Sequence, residues 1–189
     1  MGKEESAVKL KKNQNDILRP EIIKRVLIWG ILLLVLAAAK CSFFSNLHIC
    51  PATPDLLVGA VAAITLLDSK KSAAIFAVAA GIVSDALGGA GISLSPVVYL
   101  LIAALVAVLG EKMLPAFPSY AVLLIPAILA RELIGMAEIF VLYRSLPTLE
   151  VILGTFLPEA ICTFIFCLGL YPLIKLCSLP LGARNKFSF

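Results

Sequence analysis

Charged side chains and histidine are scarce in this chain of 189 residues. Only 15% of its residues are Asp, Glu, Lys or Arg, whereas soluble domains carry about 25%. The single histidine, His48, excludes histidine-rich metal sites and His-Glu-x-x-His motifs. The five cysteines show no pair spacing that is typical of a metal site. These absences argue against a soluble metalloenzyme.

Apolar residues, in contrast, make up 61% of the chain, and the mean hydropathy is +1.03. A membrane-spanning helix needs about 20 apolar residues, or about 17 at the short end. The first, fifth and sixth apolar blocks meet this length outright, whereas the short second and third blocks favour bent, tilted or partly re-entrant helices. The sequence therefore predicts an all-α polytopic membrane bundle of about six helices, with five as the alternative. The blocks lie near 26–47, 54–67, 72–87, 94–110, 119–143 and 151–177.

The basic residues predict the orientation of this bundle. With six crossings, thirteen of the sixteen Lys and Arg residues fall on one side of the membrane, and Lys40 and Arg144 fall near the other. The positive-inside rule then places both termini in the cytoplasm. We expect cytoplasmic tails over 1–25 and 179–189 and a transmembrane domain over 26–178. The basic residues are expected to face a lipid bilayer rather than nucleic acid.

Small residues form a stripe along the third apolar block. They recur at steps of three and four residues, so they share one helical face, and such faces allow close helix contact in lipid. Ile75 and Ile82 fall on another face and are expected to meet lipid. The predicted helix-packing or partner interface comprises Ala74, Ala77, Gly81, Ser84, Asp85, Gly88, Gly89, Ala103 and Ala107.

Ionisable residues within the apolar blocks are costly and usually functional. Arg131 and Glu138 are seven residues apart on one helical face, so we predict a buried and coupled pair. The arginine could instead reach Asp85 on a neighbouring helix, and the pair could either fix helix packing or bind a ligand or partner. The predicted intramembrane charges are Arg131, Glu132 and Glu138, with Glu159 as a further candidate.

Two aspartates are interpreted as architectural residues. Asp55 follows Thr53, a predicted N-cap, and Pro54 at the first helical position, so its charge would favour the helix dipole. Asp85 precedes a predicted turn over 88–93, which we expect its side chain to shape. The sequence offers no credible catalytic set and only short loops, so no enzyme activity, cofactor or metal is expected.

The cysteines leave one question open. Cys41 and Cys50 would flank the first outer loop and could form a disulfide bond. The alternative is that all five are free thiols that behave as small apolar side chains. The five are Cys41, Cys50, Cys162, Cys167 and Cys177.

The segment from 54 to 109 carries a distinctive series of residues. It opens with Pro54-Asp55-Leu56-Leu57, continues with Gly81-x-x-x-Asp85-x-x-x-Gly89, and then reaches Leu94 and Tyr99-Leu100-Leu101. This series resembles the bacterial rod shape-determining protein MreD family. The family typically shows a Pro-Asp-Leu opening, a Gly and an Asp late in the next helix, and a glycine turn before a helix with an early Tyr. This chain departs from the pattern at Gly91-Ile92-Ser93, where the family usually has Pro-Leu and then glycine.

The resemblance implies a compact bundle similar to the S components of energy-coupling-factor transporters. It also implies a non-enzymatic scaffold in the bacterial inner membrane. Such a scaffold would bind MreC, a single-pass membrane protein, together with other elongation proteins, and would link MreB filaments to peptidoglycan synthesis; a homo-oligomer stays open. The alternative function is a vitamin-binding S component. The short predicted outer loops 45–53, 88–95 and 144–150 favour the scaffold.

Overall fold

A computed structural model of the chain describes residues 20–44, 54–88, 94–144, 148 and 152–181. Within these ranges the chain is helical and contains no strand, which confirms the all-α bundle. A π-helical turn, Lys40–Phe44, follows the first helix, and another, Ile152–Phe156, precedes the last. The helices are α1 (Pro20–Ala39), α2 (Leu56–Leu67), α3 (Lys70–Gly88), α4 (Ser95–Leu109), α5 (Phe117–Tyr143) and α6 (Leu157–Ser178).

Three helical stretches in the described ranges are long and apolar enough to cross a membrane, namely Ile23–Ser42, Ser95–Lys112 and Gly154–Leu181. The fourth apolar block therefore meets the requirement for a membrane span that we expected the fifth block to meet. Helix α5 has 27 residues, but three charged residues interrupt its apolar character. Helix α2 is apolar but only 12 residues long.

Helix α2 lies at the centre of the bundle. Every residue from Leu56 to Leu66 is buried, and the other five helices all pack against it. A helix that is apolar on all sides is suited to such a core position. The surrounding helices expose large apolar side chains outward, among them Val26, Ile75 and Leu133, which are more than 60% exposed. This outer surface is what a bundle in lipid requires.

The first and last helices meet at one end of the bundle. Nη2 of Arg25, on α1, donates a hydrogen bond of 3.4 Å to the carbonyl oxygen of Leu181, just after α6. We call this the terminal end, and we call the opposite end, where α2 begins, the far end. Helix α1 begins at Pro20, inside the predicted tail 1–25. Residues 1–19 and 182–189 lie outside the described ranges.

The start of α2 differs from the predicted cap. Asp55 itself is the N-cap residue, and Pro54 precedes the helix rather than occupying its first turn. Thr53, the predicted cap, lies outside the described residues. A carboxylate is a strong capping group because it accepts a hydrogen bond from an otherwise unpaired backbone N–H. The predicted acid at the helix start is therefore the cap as well.

The cysteines also differ from the all-thiol interpretation. Cys162 is disulfide-bonded. Cys41 is exposed and forms no disulfide bond, so the alternative that it is bonded to Cys50 is wrong. Cys50 itself lies outside the described residues. Cys167 is a free, buried thiol packed against α2, and a Cβ added to Gly59 would overlap its sulfur. Glycine at that position lets α2 and α6 approach closely.

Candidate functional site

Asp55 is the centre of a buried polar cluster at the far end of the bundle. The residue is 5% exposed. Its Oδ1 accepts a hydrogen bond of 3.2 Å from the backbone N–H of Leu57, and its Oδ2 accepts one of 2.5 Å from the hydroxyl of Tyr99. Its own backbone N–H donates to Oγ1 of Thr163 at 3.0 Å. One residue therefore joins the start of α2 to α4 and α6.

Two cations lie beside the same carboxylate. Nε of Arg131, on α5, is 3.5 Å from Oδ2, and Nζ of Lys40, just after α1, is 3.8 Å from Oδ1. The two cationic side chains are 28% and 24% exposed, whereas the Asp55 side chain is only 7% exposed. A buried carboxylate needs such partners because its desolvation is unfavourable. We call Asp55, Tyr99, Thr163, Arg131 and Lys40 the Asp55 cluster.

Further carboxylates surround the arginine of this cluster. Glu138 and Glu159 both attract Arg131 electrostatically, and Glu132 and Glu159 repel each other. The four carboxylates Asp55, Glu132, Glu138 and Glu159 therefore outnumber the two cations of the Asp55 cluster. Arg131 forms its ion pair within the described residues with Asp55. Glu138 therefore attracts Arg131 over a longer distance than Asp55 does.

Helices α3 and α4 touch through their backbones beside this cluster. A Cβ added to Gly81 would overlap the Cα and N atoms of Pro96, so only glycine fits there. One turn further along α3, Ser84 is also buried. The close approach of α3 thus fixes the start of α4, the helix that carries Tyr99.

A second carboxylate lies at the other end of α2. Oδ1 of Asp68 pairs with Nη1 of Arg25 at 2.5 Å, and its Oδ2 accepts a hydrogen bond of 3.0 Å from the indole N–H of Trp29. An acid at a helix C-terminus interacts unfavourably with the helix dipole, and the adjacent guanidinium offsets this. Segment α1 and its π-helical extension therefore hold α2 at both ends, through Arg25 at the terminal end and Lys40 at the far end.

The structure places the predicted interface residues at different depths. The buried ones are Ala77, Gly81, Ser84 and Ala103, and the half-buried ones are Ala74, Asp85 and Ala107. Gly88 ends α3, and Gly89 lies outside the described residues. On α5, Arg131 joins the Asp55 cluster, whereas Glu132 and Glu138 are half-buried beside it.

Asp85 is not part of the Asp55 cluster. Its Oδ2 is buried and has no hydrogen-bond partner within the described part of the chain. The alternative that Arg131 reaches Asp85 is wrong for these residues, because the guanidinium pairs with Asp55. The turn that Asp85 is expected to shape includes residues 89–93, which the structure does not describe.

The sequence reasoning missed most of the cluster. It assigned Asp55 to the helix start alone and gave no polar role to Thr163 or to Lys40. One signal was available, because a hydroxyl in an apolar helix needs a hydrogen-bond partner when it is buried away from water. Tyr99 and Thr163 both satisfy that need through Asp55.

The arrangement is suited to holding helices together. Both oxygens of Asp55 are engaged by backbone, hydroxyl and cationic partners, which leaves the carboxylate poorly placed to act as a base or nucleophile. Among the described residues there is also no group of three or more His, Cys, Asp or Glu side chains that could hold a metal ion.

A comparison of the chain with protein-family models found no match, and neither did comparisons with curated proteins and with solved structures.

Proposed function

We propose that this protein is a non-enzymatic membrane scaffold of the bacterial cell-elongation machinery, similar to the MreD family. It lies in the inner membrane with both termini in the cytoplasm. It binds an MreC-like single-pass protein and through that partner links MreB filaments to peptidoglycan synthesis.

The hydrogen bond between Asp55 and Tyr99 is the observation that carries this proposal. Asp55 belongs to the opening of the segment that resembles MreD, and Tyr99 belongs to its last helix. Gly81, from the middle of that segment, lies against Pro96 at the start of the same helix. The residues that carry the resemblance thus hold α2, α3 and α4 against one another. This packing supports a role in building a rigid surface.

The internal pairing of charges supports a scaffold over a catalyst. The cations Arg131 and Lys40 are directed at the carboxylate of Asp55, within 4 Å of its oxygens. A substrate that bound either cation would compete with the buried Asp55 carboxylate for it, and weakening that pairing is unfavourable.

A paired purification tests the proposal. The tagged chain is purified from a rod-shaped bacterium, co-purifying proteins are identified, and small molecules are released by denaturation. We expect an MreC-like protein and no stoichiometric small ligand, and depletion of the chain should turn rod cells round while vitamin uptake continues. Recovery of a stoichiometric vitamin without an MreC-like partner would assign the chain to the S components instead.

A variant of Asp85 tests the docking surface. If the end of α3 shapes that surface, Asp85→Ala should reduce recovery of the MreC-like partner without lowering the amount of the chain itself. Leu87→Ala is a matched control, because Leu87 is an exposed apolar residue on the same turn of α3. Equal recovery with both variants would remove Asp85 from the interface.

A further inference from the structure

A groove of about 500 Å³ opens between α1 and the first half of α3, at the terminal end of the bundle. Its walls are apolar and include Leu33, Ile75 and Phe76. Its polar end is lined by Arg25, Lys71 and Ser72. The groove is therefore amphipathic, with apolar side chains along the helices and cations where the helices end.

The polar end of the groove carries a positive charge that nothing in the described residues neutralises. Arg25 is paired with Asp68, and Lys70, which does not line the groove, is paired with Glu111 at 2.5 Å. Lys71 is exposed and has no ion pair within the described ranges. An anionic group would thus meet one free cation next to a guanidinium that has further N–H groups to donate.

Gly30 adds to the depth of the groove. It lines the groove in the middle of α1, and a Cβ added there would have no atom within 4 Å. Glycine weakens a helix interior, and no contact within the described part of the chain requires it at this position. The space that Gly30 leaves is open toward the surroundings of the bundle.

We propose that this groove binds an anionic phospholipid of the leaflet at the terminal end. The apolar walls take part of an acyl chain, and Lys71 and Arg25 bind the phosphate, as basic pockets between membrane helices do. A partner helix fits these observations less well, because an apolar helix would cover Lys71 without supplying the anion that a phosphate supplies. The inference does not depend on the proposed scaffold function.

Native mass spectrometry of the full chain tests the inference, after purification from nanodiscs of phosphatidylcholine with and without phosphatidylglycerol. We expect the wild type to retain phosphatidylglycerol about fivefold more than phosphatidylcholine, the preference that one lysine near an anionic lipid provides. Lys71→Gln should remove most of this preference. Gly30→Leu should lower retention of the anionic lipid, because the new side chain fills the groove.

Two variants serve as matched controls. Gly169 on α6 also has no atom within 4 Å of an added Cβ, so Gly169→Leu controls for the added volume. Lys112 is an exposed cation beside Glu111 that does not line the groove, so Lys112→Gln controls for lost charge. Both controls should retain phosphatidylglycerol as the wild type does.

Several results would overturn the lipid site. One is an unchanged preference in Lys71→Gln, which decides the question even if Gly30→Leu does not fold. Competition by soluble glycerol phosphate would show that a free phosphate suffices. Loss of a co-purifying membrane protein from Gly30→Leu, with lipid retention unchanged, would assign the groove to a partner helix.

Discussion

At the scale of single residues, a buried carboxylate in a membrane bundle is stabilised by partners for its oxygens, because its desolvation is unfavourable. Asp55 obtains them from its own helix, through the N–H of Leu57, and from other elements, through Tyr99 and Arg131. The same side chain thus acts as helix cap, hydrogen-bond acceptor and counter-ion. Removing one partner should therefore disturb more than one helix.

The hydroxyl of Tyr99 is the partner that can be removed with least change in shape. We expect Tyr99→Phe to lower the free energy of unfolding by about 1–2 kcal/mol, because it removes one hydrogen bond to a charged acceptor in lipid. Unfolding in detergent measures this. Tyr171→Phe is the control, because the Tyr171 hydroxyl makes only a 3.5 Å contact with the carbonyl of Pro115. Equal losses of unfolding free energy in the two variants would show that the bond to Asp55 stabilises the protein no more than the Tyr171 contact does.

The arginine of the cluster can be tested with a double-mutant cycle. We expect Arg131→Gln and Asp55→Asn to be coupled by about 0.5–3 kcal/mol in unfolding free energy, because each leaves the other's charge without its closest partner. Arg131→Gln combined with Glu138→Gln should be additive within about 0.5 kcal/mol. If Arg131 couples more strongly to Glu138 than to Asp55, the result would support the pair of Arg131 and Glu138 that the sequence predicts.

At the scale of helices, the contact between α3 and α4 leaves no room for a side chain. Ala77 is fully buried on the same face of α3 as Gly81, which meets the backbone of Pro96. Ile75 and Ile82, on another face of α3, are 68% and 58% exposed. One helix therefore presents a face that tolerates no added volume and a face that meets lipid.

Substitutions on the two faces of α3 should differ sharply. We expect Gly81→Leu to destabilise the protein by about 3 kcal/mol or more, because the new side chain collides with backbone that cannot change rotamer. Ile82→Leu conserves volume on the lipid side and should change stability by less than about 0.5 kcal/mol. Protein level in membranes and thermal stability in detergent measure both. Equal tolerance of the two changes would contradict the close contact.

At the scale of the whole molecule, much of the helical architecture could be predicted from the sequence, because helix starts and apolar periodicity are local signals. The partners of Asp55 could not, because Tyr99 and Thr163 follow it by 44 and 108 residues. Periodicity put Arg131 and Glu138 on one face of α5, but it could not show which neighbouring helix that face meets. The short length of α2 could be predicted from its short apolar block. Its central position could not, because that position depends on how five other helices surround it.

The orientation of the bundle stays a prediction that reporter fusions can check. Fusions after Leu67, Gly89, Gly110 and Arg144 should report the cytoplasm, the outside, the cytoplasm and the outside, in that order. The reason is the segregation of basic residues to one side. If the fusions at Gly89 and Gly110 report the same side, then α4 does not cross the membrane.

The short central helix has a consequence for how the chain enters the membrane during synthesis. Helix α2, at 12 residues, is about 18 Å long, against a hydrocarbon layer of about 30 Å. Alone in lipid it would leave the backbone groups at its ends without partners. It therefore cannot be released from the translocon as an independent span, and it has to enter together with its neighbours. Thr163 and Cys167 belong to α6, which is made after α1 to α5, so a nascent chain that stops before α6 has its core helix uncovered on one side.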